Sequence, residues 1–156
     1  MKYIFSFILI LFTSLVTFSQ TKTEIEWKTW SQLEVALAKK QKPVLIFFHA
    51  KWCVYCKKIE REVFTKPKVI DKINSKYYAL EMDVESLDTI VFDGLTFTNK
   101  QAKTKRNGVH ELPLLLASKK GKVFRLPATL IFNKDFTVKE KIYTYYTSNQ
   151  LLKLLQ

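Results

Sequence analysis

The sequence predicts an α/β domain, and three observations carry that reading. Apolar runs of strand length alternate with segments of helical period between Thr23 and Asp83, in the order β-α-β-α-β. One run, Val44 to Phe48, is continuously apolar, as expected for a central strand buried on both faces. Just after it stand Cys53 and Cys56, the only cysteines, three apart at the start of a helical pattern. Strand, sharp turn and helix N-terminus therefore converge on two thiols. At 156 residues the chain is long enough for one domain.

The opening residues stand outside that domain. Met1-Lys2 is a minimal positive start, and Tyr3 to Phe18 is apolar apart from Ser6, Thr13, Ser14 and Thr17. Thr17-Phe18-Ser19 fits a small-X-small cleavage signal, so residues 1–19 read as a secretory signal peptide and 20–156 as the domain. The competing reading is an uncleaved anchor, although the run is short for a span of about 20 residues. With the segment removed, no membrane span is expected. Export places the domain in the periplasm or outside the cell, where a disulfide persists. Of the charged residues only Lys2 is lost, so the formal charge of +12 becomes +11. That charge suits acidic substrates or an anionic surface, or simply a lysine-rich solvated exterior. Nothing resembles a nucleic-acid-binding module.

Thr23 to Trp27 alternates polar and apolar and reads as a short first strand. Thr29 or Ser31 caps the next helix, with Ser31-Gln32-Leu33-Glu34 matching a capping box. Trp30, Leu33 and Leu37 form its apolar stripe, and Lys39-Lys40-Gln41-Lys42-Pro43 ends it. After the helix that follows the cysteines, Pro67 opens a second helix through Asn74, with Val69, Ile70 and Ile73 inward. Tyr77 to Asp83 is the next strand. Thr89 to Phe97 is a hairpin signal, with β-branched and aromatic residues around Asp93-Gly94. Asn99 to Gly108 is polar and basic and reads as an exposed loop, and Val109 to Ser118 as a buried helix. A strand from Pro127 to Phe132, a turn at Asn133-Lys134-Asp135, a strand through Tyr143 and a helix capped by Thr147-Ser148-Asn149-Gln150 complete the chain.

The two thiols carry the chemistry. At a helix N-terminus, unpaired backbone N–H groups and the positive end of the dipole stabilise a thiolate. Cys-X-X-Cys sites of this kind lower a thiol pKa from about 8.5 into a range of roughly 3.5–7.5. The spacing puts Cys56 on the face of Cys53, so Cys53 can attack a disulfide and Cys56 can resolve the product. A purely structural disulfide would close a tiny loop and stabilise little. A metal site needs more ligands than the two cysteines, and the chain has only two histidines; haem attachment needs histidine directly after the second Cys, where Lys57 stands.

Trp52-Cys53-Val54-Tyr55-Cys56-Lys57 after a strand resembles the active site of the thioredoxin superfamily. Lys42-Pro43-Val44-Leu45-Ile46 and the helix ending Glu62-Val63-Phe64 resemble secreted members, and the Asp-Gly hairpin with a His-Glu-Leu helix after it resembles a subgroup of envelope members. The resemblance implies a thioredoxin fold, a central mixed sheet flanked by helices, with a hairpin-plus-helix insertion at about 87–122. It also implies a cis-proline beside the cysteines that exposes backbone groups of the preceding residue to an extended substrate. Pro113 and Pro127 compete for that place. The order strand, turn, strand and capped helix after Pro127 favours it, with Leu126 as the presenting residue.

Trp52 would shield the site and contact substrate, or pack as a half-buried aromatic. Tyr55 would tune the thiolate and substrate fit, or be exposed without a role. Many thioredoxins carry a buried Asp six residues before the first Cys; here Phe47 stands there, and His49 is the candidate for proton transfer because imidazole is the side chain suited to it near neutral pH. The expected function is an exported thiol–disulfide oxidoreductase, in the reductase direction, acting on protein disulfides with a thiol protein as redox partner and without cofactor or metal. The alternative is a non-catalytic binding module, or a copper(I) site built on the Cys pair.

Overall fold

The computed structural model describes residues 23–119 and 121–156. The expected signal segment, 1–19, lies outside them. Among the described residues no helix is long and apolar enough to cross a membrane.

A five-stranded mixed sheet organises the domain, in the order β1-β3-β2-β6-β7. Strands β1 (Trp27–Lys28), β3 (Tyr78–Asp83) and β2 (Val44–His49) are parallel. β6 (Ala128–Phe132) runs antiparallel to β2, and β7 (Val138–Ile142) antiparallel to β6. The uninterrupted apolar run of β2 reflects its place: it is paired on both edges and covered on both faces.

Alternation along β2 divides the core. Ile46 and Phe48 share a face with Leu80 and Met82 by cross-strand register. Helix α1 (Trp30–Lys39) covers that face, its Trp30 indole N–H donating to Met82 Sδ at 3.3 Å. Leu45, Phe47 and His49 point to the other face, where Phe64, just past helix α2 (Val54–Glu62), sets its ring edge-on to Phe47 at 5.0 Å. Helix α3 (Pro67–Lys76), with Pro67 in its first turn, and helix α5 (Ser148–Leu154) pack against each other. Thr147 and Gln150 form the expected capping box of α5.

Between β3 and β6 lies the insertion. Strands β4 (Ile90–Phe92) and β5 (Leu95–Phe97) form a hairpin whose two turn residues, Asp93 and Gly94, have φ of 51° and 69°. Both left-handed positions are what a two-residue turn of this hand demands. The hairpin docks on α1: Phe92 meets Trp30 edge-on at 5.0 Å, and Asp93 N–H donates to Glu34 Oε1 at 2.9 Å. Helix α4 (Glu111–Ala117) comes next, and its C-terminal carbonyls are capped from the sheet by Lys141 on Leu116 and Tyr143 on Ala117.

The structure corrects four local expectations. The first strand shrinks to Trp27–Lys28, because Asn74 pins the preceding turn, donating to Glu24 O (2.8 Å) and accepting from Glu26 N–H (2.9 Å). The α1 capping box is Thr29 with Gln32, not Ser31 with Glu34; Trp30 is already helical, so Ser31 lies inside the helix. The segment Asn99 to Gly108 is not wholly exposed: it contains a short 3-10 turn, Lys100–Lys103, and Asn99 is buried, donating to Ser86 O and Gly108 O. Helix α4 starts two residues later than expected, because His110 is its N-cap: Nδ1 accepts from Leu112 N–H at 3.2 Å.

Candidate active site

Cys53 is the N-cap of α2, with extended backbone (φ −75°, ψ 98°) where the turn from β2 meets the helix. Its N–H closes that turn on Ala50 O at 2.9 Å. The Cys56 N–H, one of the helix's otherwise unpaired first amides, donates to Cys53 Sγ at 3.2 Å. A backbone donor aimed at the sulfur, at the positive end of the helix, favours negative charge there. The two sulfurs are joined in a disulfide, with Cα atoms 5.2 Å apart. Cys56 is fully buried, and only 5% of Cys53 is exposed.

The residues around this pair are unusually exposed for their chemistry. Trp52 is 55% exposed, and its indole N–H is fixed by Glu85 Oε1 at 2.7 Å. Val54 and Tyr55 are also exposed. The Tyr55 ring lies 6.5 Å from that of Tyr145, whose hydroxyl donates to Glu62 Oε2 and whose face carries the Lys58 ammonium at 4.6 Å.

The cis peptide falls at Leu126–Pro127, while Pro113 lies in the first turn of α4. The β2–β6 ladder ends with Phe48 opposite Ala128. The chain leaving β2 toward Cys53 and the chain entering β6 through Pro127 therefore meet at one end of the sheet. Two residues past Pro127 on β6, Thr129 is buried and shares a hydrogen bond of 2.8 Å with the Tyr146 hydroxyl. Burial pushes that hydroxyl's pKa well above the usual tyrosine range, with Thr129 opposing, so it stays neutral.

Phe47 occupies the position of the missing acid, fully buried between Phe64 and the stacked ring of His49. His49 turns toward α2, its Nδ1 4.0 Å from Glu60 Oε1. Glu60 lies four residues after Cys56, on the same helix face. Partial desolvation pushes the carboxyl of the solvent-exposed Glu81 up; His49 pulls it down and Glu60 pushes it further up. The structure thus gathers His49, Glu60 and Glu81 beside Phe47. Sequence reading singled out neither acid, nor Glu85, because nothing local links them to the cysteines.

The thioredoxin-like domain family matches residues 31–156. The chain belongs to that family. Among curated relatives, this thioredoxin-like domain is 42% identical over 65 residues to thiol:disulfide interchange protein DsbD 1 of Pseudomonas aeruginosa, covering 38% of the chain and 11% of that protein. It is 32% identical over 106 residues to thiol:disulfide interchange protein DsbD of Salmonella typhimurium, covering 67% of the chain and 14% of that protein. The chain thus spans only a small part of the curated relatives it matches. Among solved structures, the DsbH oxidoreductase superposes with a TM-score of 0.59 at 12% identity, over 86% of this chain and 84% of that one, a likeness of fold.

Proposed function

We propose that this thioredoxin-like domain is an exported thiol–disulfide oxidoreductase working in the reductase direction. One observation carries the reading: Cys53 caps α2 with the Cys56 N–H on its sulfur, at the sheet end where Pro127 enters β6. The relatives named for thiol:disulfide interchange support it. In the reduced domain, the Cys53 thiolate attacks one sulfur of a substrate disulfide. A Cys53–substrate bond forms as the substrate bond breaks, releasing one substrate thiol. Cys56, having lost its proton, attacks Cys53 Sγ, closes the disulfide seen here and releases the second thiol. Two electrons pass to the substrate. A thiol protein on the donor side returns them by the same exchange.

Leu126 and Pro127 present backbone to an extended substrate chain, and Trp52 and Tyr55 contact it. His49, held near Glu60, takes up the proton of Cys56 in place of the missing acid. Residues 1–19 direct the chain to the periplasm or beyond.

The test is trapping. Cys56→Ser should accumulate mixed disulfides with client proteins on a non-reducing gel, and Cys53→Ser none. Equal adducts from both would falsify the role assignment; none from either, with no dithiothreitol-driven insulin reduction by the wild type, would leave a binding module.

A further inference from the structure

A groove of about 430 Å³ opens beside Trp52, the residue before Cys53. One wall belongs to the common frame: Trp52, next to Cys53, and Leu126, next to the cis-proline. The opposite wall belongs to the insertion and the segment that returns from it: Val109, Leu114, Val123 and Phe124. The lining is mostly apolar, and Val123 is 85% exposed. A contiguous apolar recess that adjoins a reactive centre fits recognition, not packing.

The Val109 side of the insertion wall is held in place by hydrogen bonds. His110 is fully buried, with Nδ1 accepting from Leu112 N–H and Nε2 placed 3.1 Å from Asp88 O. The His110 N–H itself donates to Val84 O, at the end of the β3 segment that also lines the groove. Gln101 Oε1 accepts from Val109 N–H at 3.3 Å and fixes the rim. At that rim the exposed Lys105 ammonium donates to the neutral Gln101 oxygen, 3.3 Å away, and forms no ion pair among the described residues; the one carboxylate lining the groove, Glu85, accepts from the Trp52 indole. A preformed wall lowers the ordering cost of binding. An ammonium beside it without an ion-pair partner, with Glu85 engaged by Trp52, favours an acidic group on the occupant.

We propose that the insertion gives the enzyme substrate selectivity: the groove takes an apolar side chain flanking the cysteine of an extended partner segment, with an acidic side chain of that segment facing Lys105. This rests on the oxidoreductase reading and deepens it. Trp52 and Leu126 belong to that reading; Leu114, Val123, Phe124 and Lys105 are the residues assigned now.

The experiment measures exchange rates of the reduced protein with three kinds of disulfide. Hydroxyethyl disulfide, too small to span the groove, reports the exchange chemistry by itself. Peptide disulfides carry Leu or Ser at each position flanking the cysteine in turn. A second peptide pair carries Asp or Lys further along. The wild type should favour Leu over Ser at one position by about 10-fold, the discrimination an apolar pocket gives, and Asp over Lys. In Val123→Asp, whose site is open to solvent, the Leu/Ser ratio should fall to within about twofold. Lys105→Glu should reverse the Asp/Lys preference. Equal rates for Leu and Ser peptides, or a preference that both variants leave intact, would overturn the groove while hydroxyethyl disulfide still reacts. No reaction with hydroxyethyl disulfide would overturn the oxidoreductase reading and this inference with it.

Discussion

The Trp52 indole N–H donates to Glu85 Oε1 at 2.7 Å, tying the residue before Cys53 to the chain just beyond β3. The bond holds a half-exposed ring in one orientation over the site and shapes one wall of the groove. A charge-assisted bond of this length is strong, but its exposure limits its contribution to stability.

Glu85→Ala should therefore change stability by at most about 1 kcal/mol while freeing the ring. The Trp52 indole N–H resonance should move and exchange faster with solvent, and exchange with peptide disulfides should slow. Glu85→Gln, which keeps an acceptor, should restore most of both. An unchanged indole resonance in Glu85→Ala would show that packing alone sets the ring.

Phe47→Asp should have two opposed effects. The side chain is fully buried against Phe64 and His49, and Glu81 faces it across the ladder. Losing the ring costs about 3–5 kcal/mol, and a carboxylate there lacks a partner, which adds to the loss. In the fraction that remains folded, a carboxylate near the helix would act as general base and speed the Cys56-dependent release of product. Urea unfolding and single-turnover release from a mixed disulfide measure the two separately. Slower release in the folded variant would remove the argument that Phe47 stands where an acid would help.

Two glutamates should show opposite pH dependence. Glu81 is solvent-exposed, but partial desolvation of its carboxyl beside Phe47 holds it above its ordinary value, with His49 opposing and Glu60 reinforcing, and solvent screening keeps the effect small. Its protonated form suits the fold, so stability present below the ordinary carboxylate range is lost as pH rises through the raised folded value. Glu81→Gln should thus stabilise at pH 7, with the gain shrinking toward pH 4. Glu111 is the reverse case: hydrogen bonds from Lys100 and from Thr98 N–H hold its carboxyl below the ordinary value. Its stability is present above the ordinary range and lost as pH falls through the lowered folded value. Glu111→Gln should destabilise at pH 7, with the loss shrinking in acid. Denaturant midpoints at both pH values decide the signs.

Legibility tracked the range of the interactions. Asp93-Gly94 marked its hairpin because two adjacent left-handed residues need those side chains. The place of Cys53 was readable because strand, turn and helix are contiguous there, and the order of elements after Pro127 separated it from Pro113. The contacts that complete the site and the first strand join distant segments: Trp52 with Glu85, 33 residues apart, and Asn74 with Glu24, 50 apart. No local pattern encodes such pairings. The buried Asn99 and His110 were hidden for a related reason. In sequence Asn99 opens a basic stretch and His110 is a polar residue near the start of an apolar segment, and only the tertiary fold shows that they satisfy carbonyls and amides inside the domain.

Those buried residues lead to the last prediction. At Gly108, a Cβ would lie 2.4 Å from Ala102 N and 2.6 Å from Gln101 C, both backbone atoms that cannot rotate aside. Gly108→Ala must push the Lys100–Lys103 turn off the domain, straining the Asn99 bond to Gly108 O and moving Gln101 and Lys105. His110→Ala leaves the Leu112 N–H and the Asp88 carbonyl without their buried partner, at about 1–3 kcal/mol for each group. Both changes act on the insertion, while the β2–β3–β6 ladders keep all their pairs. The expected signature is local opening. Amides from 98 to 117 should exchange faster by the corresponding factor, and those of Val44–His49 should exchange only as fast as global unfolding allows. Reactivity toward hydroxyethyl disulfide should outlast selectivity among peptide disulfides. If exchange instead rises equally in the central strand and the insertion, the insertion is not a separately opening unit but an integral part of the one cooperative core.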